Sequence, residues 1–111
     1  MATSTDNMKA QMRKGMLEYC ILLLLQRGDA YAGEILQGLK DAQMIVVEGT
    51  LYPLLTRLKN DDVLTYRWEE SPSGPPRKYY TLTARGHEIL AALTDAWSEL
   101  SNSIEILKNT K

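Results

Sequence analysis

Residues 48–60 read EGTLYPLLTRLKN, and the leucines of this stretch recur at i, i+3, i+4 and i+7. At 3.6 residues per turn this spacing places them on one face, so the stretch predicts a helix that is buried on one side. Because Pro53 deletes a backbone hydrogen bond once it lies beyond the first turn, we expect the helix to start late or to kink there. The face opposite the leucines carries Thr50, Pro53, Thr56, Arg57 and Asn60.

Two more helices are predicted before this one. The first covers about residues 6–26 and is apolar on two sides, with Met12 and Met16 on one of them, so it has two surfaces to pack against. A second helix covers about residues 30–42, and we expect Asp29 to cap it. Because only a short apolar connector separates the second helix from the third, the two predict a helix-turn-helix.

A change of period follows the third helix. Two stretches, about residues 63–69 and 77–82, alternate with a period of two, which is typical of β-strands. Between them residues 71–76 read SPSGPP, which predicts a hairpin with a long tip stiffened by proline. A hairpin directly behind a helix-turn-helix is a wing.

The last predicted helix begins after Thr83, a good N-cap, and runs to about residue 109. At about 1.5 Å per residue it approaches 40 Å, more than the width of a small domain, so its distal half needs a partner. A second copy of the chain is the simplest partner, through the same helix or through Met12 and Met16 of the first; a tail folded back on its own domain is the alternative. Its apolar positions form a heptad seam: Leu90, Leu93, Trp97, Leu100, Ile104 and Leu107.

These elements predict a mainly α fold with a small β-hairpin wing, that is, a winged helix-turn-helix followed by a long C-terminal dimerisation helix. We expect residues 1–82 to form the DNA-binding domain with its N-terminal helix, and residues 83–111 to form the dimerisation helix. The 111 residues, 44% apolar and 24% charged, are ordinary for one globular domain. The longest apolar run, residues 20–25, is too short to cross a membrane, and a single cysteine fits the cytoplasm.

The polar face of the third helix suits the major groove of DNA, because arginine bonds guanine and hydroxyls bond phosphates or bases. A solvated helix face is the alternative interpretation. The charge layout favours DNA: every charge between Pro72 and Gly86 is positive, and every charge in residues 88–105 is negative. The predicted DNA-binding residues are Thr50, Tyr52, Pro53 and Arg57 in the groove, with Arg77 and Lys78 on backbone phosphates.

Catalysis is not expected. His87 is the only histidine and Cys20 the only cysteine, so neither a catalytic pair nor a metal site with recognisable spacing is present. We therefore predict no catalytic residues, no metal and no cofactor.

Among the seam residues, Trp97 is also a candidate ligand-binding residue, since two copies of it across a symmetric dimer could sandwich a flat aromatic molecule. Filling the dimer core is the alternative role. The predicted ligand-binding residues are Trp97, Ala92, Ala96 and Leu93.

Two motifs carry a family resemblance: EGTLYPLLTRL at residues 48–58, and GPPRKYYTLT at residues 74–83 with Gly86 after it. They resemble the PadR family of bacterial transcriptional regulators, and the short chain is similar to its LmrR-like subfamily of multidrug-responsive repressors. The chain departs from the family at Val47, where serine is usual, and at residues 31–34, which read YAGE in place of the usual Tyr-Gly-Tyr-Glu.

The resemblance implies a homodimeric repressor that binds double-stranded operator DNA and takes planar drugs between paired tryptophans, here Trp97. Two-fold symmetry predicts a pseudo-palindromic operator. A winged-helix module that docks partner proteins without reading DNA is the alternative function.

Overall fold

The computed structural model describes residues 4–109 and contains, within them, four helices and one antiparallel hairpin. This order of elements confirms the predicted mainly helical fold with a two-stranded wing. The elements are α1 (Ser4–Gln26), α2 (Ala32–Asp41), α3 (Glu48–Asn60), β1 (Leu64–Ser71), β2 (Gly74–Leu82) and α4 (Ala84–Lys108).

A single core joins all six elements, because each contributes one apolar face to it. The leucine face of α3 is buried as its spacing predicts, and the base of the wing closes the core beneath α4. The residues with the largest fully buried side chains are Ile21, Leu22, Ile35, Leu39, Leu51, Leu55 and Leu64.

The predicted cap of α2 by Asp29 is wrong. The N-cap is Tyr31, whose backbone N–H donates to Oε1 of Glu34 at 3.2 Å. The connector before α2 instead pairs with the wing, since Ala30 exchanges two backbone hydrogen bonds with Tyr80, of 3.2 and 2.8 Å. This pairing places Asp29 beside the wing, where its carboxylate accepts from Arg67 of β1.

Of the two alternatives expected for α3, a late start or a kink at Pro53, the late start is wrong, because the helix begins at Glu48 and Pro53 lies inside it. Val47 occupies the N-cap in extended conformation without a side-chain cap, and its carbonyl accepts from the N–H of Thr50 at 3.0 Å. Pro53 withholds the hydrogen bond that the Gly49 carbonyl would accept. Both residues are exposed, so water can hydrate that carbonyl and the helix tolerates the proline.

The tip of the wing is short, contrary to the long tip predicted. Strand pairing continues to Ser71 opposite Gly74, which leaves only residues 72 and 73 in the turn. Pro75 and Pro76 therefore lie within β2. A two-stranded sheet has an unpaired edge on each strand, and proline is compatible with such an edge.

The start of α4 is fixed by a close backbone contact. As predicted, Thr83 is the N-cap, and its Oγ1 accepts from the N–H of Gly86 at 2.9 Å and donates to the Asp62 carbonyl at 2.7 Å. Gly86 packs against the carbonyl of Val63 so closely that a Cβ there would lie 2.2 Å from that oxygen. Only glycine fits this junction between the wing and α4.

Beyond this junction α4 leaves the core. Leu90 is 2% exposed and Leu93 is half-buried, whereas the large apolar residues after them are exposed. The chain measures 59 × 38 × 23 Å, and its radius of gyration of 16.1 Å exceeds the roughly 13 Å of a compact chain of this length.

Substituting Gly86 tests the junction. We expect Gly86→Ala to lower the free energy of unfolding by about 3 kcal/mol, because the Val63 carbonyl must move. Gly15→Ala is the matched control: Gly15 lies in the middle of α1 with no atom near its missing Cβ, so alanine there should stabilise the helix by about 0.5–1 kcal/mol. Urea denaturation measures both. If the two variants have equal free energies of unfolding, the claim that only glycine fits at residue 86 is wrong.

Candidate nucleic-acid interface

The predicted DNA-binding residues of α3 lie on two sides of the helix, one that faces α1 and one that faces the wing. Thr50 and Arg57 are seven positions apart, about two turns, and lie on the side that faces α1. Tyr52 lies on the side that faces the wing, and Pro53 lies between the two sides with its ring exposed. The residues predicted to enter the major groove thus form a band around the helix and not one narrow stripe.

On the α1 side, the guanidinium of Arg57 forms an ion pair with Glu18 of α1. Thr50 borders a cleft of about 390 Å³ that also includes Arg13 and Lys14. These two cations were not predicted from the sequence, although two adjacent cations on the polar side of a helix are a signal for such a cleft.

On the wing side, Tyr52 and Thr56 of α3 face Trp68 and Lys78 across a groove of about 470 Å³, and Arg77 borders the groove beside Tyr31. The two predicted phosphate-binding cations therefore lie beside the helix that is predicted to enter the major groove. This placement is the arrangement that the wing of a winged helix requires. Thr56, Lys59 and Trp68 were not among the predicted site residues, and the structure adds them to this side.

Aromatic rings hold both wing cations in place. The Arg77 guanidinium carbon lies 4.3 Å from the ring centre of Tyr31, and the Lys78 Nζ lies 4.6 Å from that of Tyr66. Contact with a ring face leaves N–H groups of each cation free to donate. Both side chains can therefore still bind phosphate.

The face of the wing that points away from α3 carries charges of both signs, since Glu69 and Arg77 lie opposite each other across the strands. The Arg67 guanidinium forms ion pairs with two carboxylates, those of Asp29 in the connector and of Glu69. The Nη2 of Arg67 lies 3.0 Å from the Oε2 of Glu69. A hydrogen bond from Thr81 and the contact with Arg67 lower the pKa of the Asp29 carboxyl. The Asp29–Arg67 ion pair fastens the connector before α2 to the wing.

Acid should weaken the Asp29–Arg67 ion pair. Because the pKa of Asp29 is lowered in the folded state, its contribution to stability is present above about pH 4 and is lost as pH falls through the folded-state pKa. We expect Asp29→Asn to lower the melting temperature at pH 7 by up to about 5 °C, and to differ less from wild type near pH 2. Asp95→Asn, on an exposed position of α4, is the control. A difference that does not change with pH would contradict this role.

The predicted dimerisation residues divide into two groups. Leu90 packs in the chain's own core, so it is not available to a partner, and Leu93 and Met16 are half-buried. A hydrogen bond of 3.0 Å from Tyr19 Oη to Thr94 Oγ1 joins α1 to α4 beside them. The others are exposed, with exposed fractions of 44% for Trp97, 57% for Leu100, 48% for Ile104, 72% for Leu107 and 74% for Met12.

The predicted ligand residues do not all surround Trp97. Ala96 and Leu93 are half-buried near it on α4. Ala92, five positions earlier, is exposed and lies about 140° around the helix from Trp97, so within one chain it does not flank the indole.

No helix among residues 4–109 is long and apolar enough to span a membrane. Cys20 is half-buried, and burial raises the pKa of its thiol, which disfavours the thiolate that a nucleophile requires. In the same described part of the chain, no three His, Cys, Asp or Glu side chains form a group that could hold a metal ion.

A helix-turn-helix, a basic wing and a groove between them define a winged-helix DNA-binding protein. Residues 21–92 match the Transcriptional regulator PadR-like family. The chain belongs to this family, as the two motifs predicted, and it is therefore a DNA-binding transcriptional regulator and not an enzyme.

Solved structures agree with this assignment. A PadR-like transcription factor from Bacteroides fragilis is 62% identical, with a TM-score of 0.77 over 92% of this chain and 99% of the other. A PadR family regulator from Eggerthella lenta is 31% identical, with a TM-score of 0.88 over 96% and 94%. An uncharacterised protein from Lysinibacillus sphaericus is 29% identical over 101 residues, which are 88% of this chain and 93% of that protein.

Proposed function

We propose that this regulator is a ligand-responsive repressor that binds a pseudo-palindromic operator as a homodimer. The observation that carries the proposal is the exposed apolar seam on α4, formed by Trp97, Leu100, Ile104 and Leu107. A seam of this kind on a helix that has left its own core is what a second copy would cover. Two-fold symmetry would then present two α3 helices and two wings to one duplex.

The proposed dimerisation unit starts later than residue 83. The first turns of α4 hold Gly86 and Leu90 in the core shared with the wing, so we assign them to the DNA-binding domain and begin the dimerisation unit after Leu93. Residues 1–3 and 110–111, which fall within the predicted domain bounds, lie outside the described residues.

For the DNA contacts, we propose that Thr50, Tyr52, Pro53 and Arg57 enter the major groove while Arg77 and Lys78 bind phosphates. Arg57 starts from its ion pair with Glu18, so Glu18 competes with DNA for the guanidinium. A surface ion pair of this type is weak, and a guanine edge or a phosphate can replace the carboxylate.

Three variants test these contacts on a duplex selected from a randomised pool. Arg57→Ala and Arg77→Ala should each weaken binding by about tenfold, and Arg77→Ala should also lower the salt slope by about one. Glu18→Gln should strengthen binding, because it releases Arg57 from its competitor. Fluorescence anisotropy across a salt titration measures all three. Isotherms of the two arginine variants that match wild type would contradict the assignments.

The selection itself separates the two functions that the sequence left open. A regulator enriches a symmetric sequence from the pool, whereas a protein-interaction module leaves the pool unenriched.

For the effector, we propose a planar aromatic compound held between the two Trp97 side chains of the dimer, with Leu93 and Ala96 beside them. The exposed indole at the start of the seam supports this proposal, since a flat ring can stack on it. The similarity of the short chain to the LmrR-like subfamily, whose members respond to drugs, is part of the same proposal.

Tryptophan fluorescence tests the effector site without DNA. In a Trp68→Tyr background, Trp97 is the remaining tryptophan, and ethidium serves as a planar cationic probe. We expect ethidium to quench Trp97, and we expect Trp97→Ala to abolish binding, followed by dye anisotropy, while the sedimentation coefficient stays unchanged. Dye binding that survives in Trp97→Ala would place the pocket elsewhere.

A further inference from the structure

The first helix contacts α3 and α4 through two neighbouring residues. Glu18 forms the ion pair with Arg57 of α3. Tyr19, the next residue, donates through its Oη to the Oγ1 of Thr94 on α4 at 3.0 Å. Successive residues of a helix point about 100° apart, so the two contacts lie on different sides of α1. One helix therefore contacts both the helix that is proposed to enter the major groove and the helix that carries the exposed indole.

Both contacts lie at the point where α1 enters the core. Residues 5–15 of α1 are exposed, whereas Leu17 and Ile21 are buried. The side chains of Glu18 and Tyr19 are half-buried between these two parts. Because neighbouring residues share one helical backbone, a small shift or rotation of α1 would change both contacts together.

The contact with α4 lies beside the proposed effector site. Thr94 is one turn before Trp97 on α4, and residues at i and i+3 are neighbours on a helix surface. Leu93 and Ala96, which are proposed to flank the effector, are half-buried at the same level of the helix. A flat molecule stacked on the indole would therefore add contacts to this part of α4 and favour the packing of α1 that allows the Tyr19–Thr94 hydrogen bond.

DNA favours a different position of α1. To reach a base or a phosphate, the Arg57 guanidinium must leave Glu18, and the Glu18 carboxylate then faces phosphates of the same charge sign. This repulsion falls as the distance between the charges grows, so it falls when α1 moves away from α3. The DNA complex therefore favours a displaced α1, whereas the ion pair favours α1 where it lies in this structure.

We infer that α1 transmits effector binding at the indole to Arg57, through Tyr19 and Glu18, so that an effector lowers the affinity for DNA. The effector binds best when the Tyr19–Thr94 hydrogen bond holds α1 against α4, and in that state Glu18 retains the guanidinium. The effector and DNA oppose each other because each favours a different position of the same helix. The inference rests on the proposed function, to which it adds Tyr19 and Thr94 as positioning residues.

Duplex binding with and without an effector tests the inference. The duplex is the one selected from the randomised pool, every protein carries Trp68→Tyr, and coumarin is the probe because it is flat, aromatic and uncharged. Saturating coumarin should weaken duplex binding by about tenfold, as fluorescence anisotropy of a labelled duplex measures. Coupling between two sites is reciprocal, so the duplex should weaken coumarin binding by the same factor, as quenching of Trp97 measures.

Two variants test the contact with α4. Tyr19→Phe and Thr94→Val each remove one partner of the hydrogen bond and nearly preserve the shape of the side chain. Each should bind the duplex alone and coumarin alone as the parent does, but coumarin should weaken its duplex binding by no more than about twofold. The double variant should lose no more coupling than either single variant. Tyr79→Phe, which removes a tyrosine hydroxyl from β2, is the matched control and should keep the full coupling.

One variant tests the contact with α3. Glu18→Gln removes the carboxylate that retains Arg57, so coumarin should still bind this variant as it binds the parent but should no longer weaken its duplex binding. Glu88→Gln, at an exposed position of α4, is the charge-matched control and should keep the effect of about tenfold.

The outcomes separate this inference from the proposed function. If the parent protein binds no duplex, or if coumarin does not quench Trp97, that part of the proposed function fails and the inference fails with it. If both ligands bind but coumarin leaves duplex binding unchanged or strengthens it, only the inference is overturned. The same holds if Tyr19→Phe, Thr94→Val or Glu18→Gln keeps the full coupling. Loss of coupling in all three variants, with the affinity for coumarin alone retained, supports transmission through α1.

Discussion

The contact between Gly86 and the Val63 carbonyl sets the direction of α4, and the rest of the molecule depends on that direction. The capping hydroxyl of Thr83 secures the same junction by bonding the Gly86 N–H and the Asp62 carbonyl. With the junction fixed, the first turns of α4 must close the core over the wing, and the later turns must leave it after Leu93. One backbone contact therefore determines both where the wing stands beside α3 and where the apolar seam becomes exposed.

Periodicity was enough to predict the elements, because burial on one face imposes a repeat that the sequence displays. It was not enough at three places where a distant residue, a sheet edge or contact with water decides the local structure. Asp29 has the chemistry of a helix cap, but Arg67 lies 38 positions away and takes its carboxylate. The prolines of residues 72–76 are typical of a loop, yet Pro75 and Pro76 lie in a strand because its edge needs no donor there. Pro53 remains inside α3 because its lost hydrogen bond faces water.

The candidate site, like the fold, was predicted only in part. Residue type and helical spacing predicted the cations of the wing and the polar face of α3 as site residues, but not how they are placed relative to one another. Arg57 pairs with Glu18, while Lys59 and Trp68 lie with Lys78 along the groove between α3 and the wing. The pairing of Trp68 with Lys78 follows from the strand register, which places Leu64 opposite Leu82 and Glu69 opposite Arg77. Composition does not give a register, so the placement of Lys78 beside Tyr66 and Trp68 was found only in the structure.

The central claim is that two chains associate through the exposed part of α4 and so present two DNA-binding heads at a fixed spacing. Sedimentation equilibrium of the full chain at micromolar concentration tests it most directly, with Leu100→Glu as the variant that places a charge in the seam and Glu99→Gln as its neighbour outside the seam. The account predicts twice the monomer mass for wild type and Glu99→Gln, and a folded monomer for Leu100→Glu. A wild-type chain that sediments as a monomer would contradict it.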